Sequence, residues 1–306
     1  MQKVYDMIII GGGPAGYAAA LYGARAGLEV LVFEKMASGG QMTQTGQIDN
    51  YPGFDEGIDG FTLGMKMQQG AEKYGAVTKQ EDVLTVELRF HIKEVRTSEA
   101  VYQTKTVVIA TGADPRSMDV PGEKELRGRG VHYCAHCDGF FYRGKTVMVV
   151  GGGNSAVADA LYLSRMAEKV ILVHRRDSLR ATRIYQEQIE KAANVEIRWN
   201  SAVEEILYDE KLRGVKLKDT QSGERTEVIC EGIFVAIGRT PVTAFLDGQL
   251  QLDDGGYLLA GESTETSISG VFAAGDVRTK VLRQIVTAVA DGATAAHFAE
   301  EYIRDM

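Results

Sequence analysis

The chain has 306 residues, 44% hydrophobic and 25% charged, with a formal net charge of −8. That length allows two domains with cores of their own, and the acidic balance argues against a general binder of nucleic acid or anionic membrane. No apolar run is long enough to span a bilayer, and three cysteines cannot make a disulfide framework, so the expected setting is the reducing cytoplasm.

In chain order, Val4 to Ile10 is a β-rich apolar run leading straight into Gly11-Gly12-Gly13, which reads as a strand and not as a signal peptide. Tyr17 to Tyr22 is a helix former, and Glu29 to Glu34 a second strand. Gly11, Gly13 and Gly16 fit G-x-G-x-x-G, and Glu34 lies eighteen residues beyond Gly16 (34 − 16 = 18). Glycines at this spacing let the backbone approach a pyrophosphate at a helix N-terminus, and the carboxylate can accept hydrogen bonds from ribose hydroxyls. This unit therefore predicts an FAD or NAD site.

Next comes His132 to Gly139, H-Y-C-A-H-C-D-G, with Cys134 and Cys137 three positions apart and Asp138 directly after. By itself the pair is compatible with a metal knuckle, a redox dithiol or chance. A structural zinc site needs four ligands. His132 and His136 are interleaved with the cysteines and would need strained geometry, so no metal is expected.

The strand–turn–helix–strand design then returns. Lys145 to Val150 leads into Gly151-Gly152-Gly153-Asn154-Ser155-Ala156, a G-x-G-x-x-A turn, and a helix runs on through Leu163. Val170 to Val173 then ends at His174-Arg175-Arg176, with Arg180 close behind. The offsets agree: 151 − 11 = 140 and 174 − 34 = 140. The carboxylate is replaced by guanidinium groups, which suit a phosphate dianion, so the second unit predicts NADPH. Two dinucleotide sites suggest hydride passing from NADPH to a flavin, with the dithiol as the flavin's other partner. Val228 to Phe234 reads as a strand holding Cys230 as an inert core thiol, and Ile268 to Ala274 as a further strand.

With these residues in place, the chain resembles the low-molecular-weight bacterial thioredoxin reductases over essentially its whole length. The resemblance rests on both glycine motifs, Gly39-Gly40-Gln41, Asn50-Tyr51-Pro52-Gly53, Ala110-Thr111-Gly112, Cys134 to Gly139, His174-Arg175-Arg176, Ala274-Gly275-Asp276-Val277 and Arg283-Gln284. The segment Met36 to Gln41 has no cysteine, which favours the small type over the large disulfide reductases.

The resemblance implies an α/β fold of two doubly wound (Rossmann-like) domains, the NADPH domain inserted in the FAD domain. The expected segments are 1–114 and 246–306 for FAD and 115–245 for NADPH and the dithiol. It implies FAD contacts from Gly11, Gly13, Pro14, Ala15, Gly16, Glu34, Gly40, Gln41, Asn50, Thr111, Gly112, Gly275, Asp276, Arg283, Gln284 and Ile285. NADPH contacts are implied from Gly151, Gly153, Asn154, Ser155, Ala156, His174, Arg175, Arg176, Arg180, Ile237 and Gly238. Cys137 is expected nearer the flavin, Cys134 to exchange with the disulfide of thioredoxin, and Asp138 to serve as acid–base. Arg129, Phe140 and Phe141 are expected to help dock thioredoxin, with a core role for the two phenylalanines as the alternative. A homodimer is implied by the resemblance alone. A flavin disulfide reductase serving another carrier, a dithiol oxidase and an NADP(H)-binding sensor are the competing readings. The intact arginine motif argues against the oxidase, and Asp138 with a second dinucleotide site against the sensor. One dithiol and one nicotinamide must reach the same flavin, which predicts a domain that swings on the crossings near Gly112 to Arg116 and Gly238 to Pro241.

Overall fold

The computed structural model describes residues 3–44 and 47–306. In chain order the elements are β1 (Val4–Ile10), α1 (Pro14–Arg25), β2 (Val30–Phe33), α2 (Gly60–Glu72), β3 (Val77–Lys79), β4 (Val83–Glu87), β5 (Lys93–Thr97), β6 (Val101–Ile109) and β7 (Ala113–Pro115). There follow β8 (Val131–His132), α3 (Ala135–Asp138), β9 (Thr146–Val150), α4 (Asn154–Ser164), β10 (Lys169–Val173), α5 (Arg183–Ile189), β11 (Val195–Arg198), β12 (Ser201–Tyr208), β13 (Leu212–Asp219), β14 (Arg225–Ile229) and β15 (Gly232–Val235). The chain ends with β16 (Arg239–Pro241), β17 (Val271–Ala273) and α6 (Ile285–Arg304). Two compact units result: Met1–Asp114 with Thr240–Met306, and Pro115–Arg239 inserted between them.

The first unit is built on a sheet of order β3-β2-β1-β6-β5-β4, with β17 also paired to β6. Strands β3, β2, β1, β6 and β17 run parallel, while β5 and β4 are antiparallel additions. The parallel strands are continuous apolar runs because both faces are covered: Met7, Ile8, Ile9, Val107, Val108 and Ile109 are fully buried. Burying each such side chain contributes about 1.5–3 kcal/mol. Helices α1 and α6 pack closely through small residues; a Cβ at Gly292 would lie 2.1 Å from the carbonyl oxygen of Ala15.

The second unit repeats the plan with an all-parallel sheet of order β11-β10-β9-β15-β8. Helix α4 covers it through Ala156, Val157, Ala160 and Leu163. The repeat seen in the sequence is a structural one: strand ends 150 − 10 = 140, helix starts 154 − 14 = 140 and second-strand ends 173 − 33 = 140. In each sheet the strand order reverses beside the first strand, between β1 and β6 and between β9 and β15. Such reversals open a crevice at the carboxyl ends of the strands, where doubly wound sheets bind ligands.

Three expectations need correction. The chain returns to the first unit at Thr240, ahead of the expected 246, because Val242 N donates to Gly112 O (3.1 Å) and Thr111 Oγ1 donates to Val242 O (2.7 Å). The strand expected over Ile268 to Ala274 is confined to Val271–Ala273; before it, Ile268 N turns back to Thr266 Oγ1 (3.3 Å) and Gly270 takes a positive φ of 74°. Cys230 is not within a strand but in the short link from β14, part of a separate antiparallel sheet of order β12-β13-β14, to β15 in the parallel sheet. It is nonetheless fully buried, as expected of a core thiol, and burial pushes its thiol up to about 12. The two crossings between the units, β7 and β16, pair as a two-stranded ribbon. Among the described residues no helix is long and apolar enough to cross a membrane.

Candidate functional site

Both glycine turns are shaped for close approach of an extended anionic ligand. Gly11 has φ of 109°, and a Cβ there would sit 2.4 Å from Ala110 O; Gly151, with φ of 153°, meets Ala236 O at the same 2.4 Å. These first glycines press the turn onto the neighbouring strand. The third positions lock turn to helix: a Cβ at Gly16 would fall 1.9 Å from Gly11 O, and the Cβ of Ala156 would face one at Gly151 at 2.7 Å. Gly13 and Gly153 differ, since a Cβ at either would meet nothing within 4 Å. Each is the N-cap of its helix and offers no side-chain cap. Each turn therefore keeps open space at a helix N-terminus whose first N–H groups lack intrahelical acceptors, which fits a pyrophosphate.

In the first unit, Glu34, Gly40 and Gly275 lie against that turn or the start of α1. Glu34 Oε2 accepts from Gly12 N (2.7 Å) and Oε1 from Met36 N (3.0 Å), fixing the carboxylate at the end of β2. Gly40 stands against Gly13, where a Cβ on Gly40 would lie 3.3 Å from Gly13 Cα. Gln41 Nε2 donates to Ala113 O (2.7 Å), beside Thr111 and Gly112 at the end of β6. Gly275 lies over the start of α1, where its Cβ would be 3.0 Å from that of Ala15, the residue after Pro14. Asp276 O accepts from Arg283 Nε (3.4 Å). Gln284 is the N-cap of α6 in a capping box with Thr287, Ile285 is its first residue, and Asn50 Nδ2 donates to Gln284 Oε1 (3.0 Å).

In the second unit His174 is buried, with its ring against Gly152 and Nε2 3.0 Å from Ser178 O. Burial lowers its pKa, and Arg180, Arg176 and Arg175 add to that. It is thus a neutral floor for the turn, while Arg175, Arg176 and Arg180 are exposed. Arg180 N donates to Gly152 O (2.8 Å), and Asn154 Oδ1 accepts from Thr182 N (2.8 Å), tying the arginine loop to the turn. Ser155 is exposed at the start of α4. Ile237 and Gly238 follow the carbonyl of Ala236 that closes over Gly151.

The dithiol lies in the same unit as the second turn. Cys134 and Cys137 are joined in a disulfide, with Cα atoms 5.3 Å apart. Cys134 is the N-cap of the one-turn helix α3, and Cys137 lies within it. Gly139 follows in a tightly packed turn, where a Cβ would meet Leu163 Cδ2 at 2.8 Å. His136 points outward and stacks on Tyr162 at 4.2 Å between ring centroids. Its Nδ1 is 4.0 Å from Asp159 Oδ1; burial, then the charge of Arg165, lowers its pKa. Burial pushes the Asp159 carboxyl up to about 7 against the opposing charge of Arg239. Phe140 and Phe141 are 60% and 44% exposed, which removes the core alternative for them. Arg143 lies over the Phe140 ring at 5.2 Å, and Arg129 NH2 donates to Glu125 O (2.9 Å).

Asp138 has a neighbour that sequence reasoning passed over. His132 Nδ1 is 3.1 Å from Asp138 Oδ2, and His132 Nε2 is 2.7 Å from Tyr142 OH. A polar-aromatic pattern at H-Y-C and F-F-Y was the only signal in the sequence, and nothing in it gave the pairing.

Two doubly wound units, open glycine turns and a cysteine pair followed by a carboxylate define a class. Residues 5–292 match the pyridine nucleotide-disulphide oxidoreductase family, and the chain belongs to it. Members of this family depend on a flavin and a pyridine nucleotide. More narrowly, the chain is similar to thioredoxin reductases over its whole length. It is 45% identical to that of Peptoclostridium acidaminophilum over 309 residues, covering 99% of this chain and 98% of that one. It is 46% identical to that of Listeria monocytogenes, covering 100% and 96%. Among solved structures, thioredoxin reductase from Streptococcus pyogenes matches with a TM-score of 0.94 at 44% identity, with both chains covered completely.

Proposed function

We propose that the protein is a thioredoxin-disulfide reductase that uses NADPH and FAD. The observation that carries this reading is the Cys134–Cys137 disulfide, followed directly by Asp138, in the unit that holds the second glycine turn. The first turn with Glu34 would hold FAD, and the second with Arg175, Arg176 and Arg180 would hold NADPH. Bound in these sites, the two cofactors would supply two electrons from NADPH to the disulfide.

The dithiol chemistry follows from thiol–disulfide exchange. The Cys134 thiolate attacks one sulfur of the thioredoxin disulfide, forming a mixed disulfide and releasing a thioredoxin thiolate. Asp138 gives that thiolate a proton. The Cys137 thiolate then attacks the Cys134 sulfur, restoring the Cys134–Cys137 bond and releasing the second thiolate. The exposed pair Phe140 and Phe141, with Arg129, would receive thioredoxin, since aromatic and arginine side chains anchor protein interfaces. The homodimer expected from the resemblance and the cytoplasmic setting expected from the few cysteines belong to the same reading.

Because the dithiol and the second turn share one unit and the first turn lies in the other, that unit must take two orientations in turn, hinged at β7 and β16. A crosslink between the units should slow turnover and leave FAD bound; undiminished turnover would sink the hinge. The function itself is tested by NADPH oxidation by the yellow protein with oxidised thioredoxin, beside Cys134→Ser. Rapid oxidation that depends on Cys134 is expected. Flavin bleaching by NADPH without turnover would mean that the dithiol serves another carrier.

A further inference from the structure

We propose that His132 is a positioning residue for Asp138, holding its carboxylate beside the dithiol while Tyr142 fixes the imidazole. This rests on the acid–base role of Asp138 given above. The geometry is a chain of three groups. Asp138 Oδ2 lies 3.1 Å from His132 Nδ1, and His132 Nε2 lies 2.7 Å from Tyr142 OH. The elements that carry them are β8, α3 and the turn of 3-10 helix Gly139–Tyr142. The His132 side chain is 7% exposed and that of Asp138 16%. The imidazole is clamped between rings, stacked on Phe234 and edge-on to Tyr142, each at 5.3 Å between centroids.

Burial, with the Asp138 charge next, pushes the Tyr142 phenol up to about 12, so it keeps its proton through the neutral range. Cys230 and Glu231 act on the phenol in the same sense. A protonated phenol can donate to Nε2. In a neutral imidazole the proton then sits on Nδ1, the nitrogen that faces Asp138. An N–H therefore meets the carboxylate at the moment Asp138 has lost its proton to the departing thiolate. The contact strengthens as negative charge develops on Asp138, so it favours the transition state over the ground state. A charge-assisted bond of this kind corresponds to about tenfold or more in rate.

The alternative is that His132 merely fills the space between Phe234 and Tyr142. Two substitutions in the FAD-loaded protein separate these roles. The amide of His132→Asn falls near the place of Nδ1 and can still donate to Asp138. The amide of His132→Gln falls near Nε2, keeps the Tyr142 end and loses the donor. With oxidised thioredoxin, His132→Gln should lower kcat by about tenfold, and His132→Asn should recover most of that loss. The rate of flavin bleaching by NADPH should stay at the wild-type value in both, which verifies the fold and the first half of the reaction. In an Asp138→Asn background His132→Gln should have no further effect, because its only route is through Asp138. Equal losses in the Asn and Gln variants, or the same tenfold loss in the Asp138→Asn background, would overturn the inference. Wild-type turnover in Asp138→Asn alone would instead overturn the acid–base reading beneath it, and this inference with it.

Discussion

The choice between NADPH and NADH should rest on Arg175 and Arg176, and the structure sets the size of the effect. Their backbones are fixed: Arg175 O accepts from Thr220 Oγ1 (3.1 Å) and Arg176 O from Asn200 N (3.1 Å). Their side chains are exposed, and no ion pair with either is found among the described residues. Truncation should therefore leave the fold intact and remove only charge that is free to meet a phosphate. Exposure puts each contact at the weak end of charge-assisted hydrogen bonds, about tenfold in affinity per arginine.

Arg175→Ala and Arg176→Ala should each raise KM for NADPH about tenfold. The double variant should fall between about tenfold and a hundredfold, because two groups that share one phosphate do not act independently. KM for NADH should not change, since that cofactor has no 2′-phosphate. Steady-state oxidation of each cofactor against oxidised thioredoxin, at two ionic strengths, is the assay. Added salt should narrow the gap between wild type and variants, as exposed charges are screened. Equal rises in KM for both cofactors would refute the reasoning, because a shared effect would place the arginines on the common part of the dinucleotide or in the fold.

Asp291 on α6 accepts from Arg278 (2.7 and 2.9 Å), Lys280 (2.7 Å) and Gly275 N (2.9 Å), all buried or half-buried. Burial alone would raise its pKa, but the bonds from Arg278 and Lys280 outweigh it and hold the carboxyl below its ordinary 3.8. Its stabilisation is thus present above pH 3.8 and lost as pH falls through the lower folded value. Asp291→Asn should cost about 3–5 kcal/mol at neutral pH by leaving two buried cations unpaired, and should flatten the acid limb of thermal unfolding. An unchanged melting temperature would contradict this. Asp159 has the opposite sign. The folded state keeps its proton to about 7 while the free carboxyl releases it at 3.8, so stability falls as pH rises across that window. Asp159→Asn should raise the melting temperature near pH 8 and change little near pH 4, and a gain that does not depend on pH would show that burial of charge is not the cause.

The parts legible in the sequence are those where local chemistry dictates local shape. A turn in which a Cβ at position 11 would fall 2.4 Å from Ala110 O must carry glycine there, so the motif announces the geometry. The offset of 140 between the units is likewise visible, because strands buried on both faces are written as unbroken apolar runs. What the sequence hid depends on pairings made by the fold. His132 stands six residues before Asp138 (138 − 132 = 6), a spacing with no meaning in a helix or a strand. Only the pairing of β8 with β15, with the chain turning back through α3, brings its imidazole to the carboxylate. Arg278, Lys280 and Asp291 read as ordinary surface charges in a line of text, since such residues are seldom buried. They are buried here because the segment after Gly275 folds under α6, where each cation finds the same carboxylate. Both clusters lie directly behind motif residues, one behind the dithiol and one behind Gly275-Asp276. The motif residues are local in sequence because the turns they make are local. The groups that hold them in place are not, and no spacing rule could have found them.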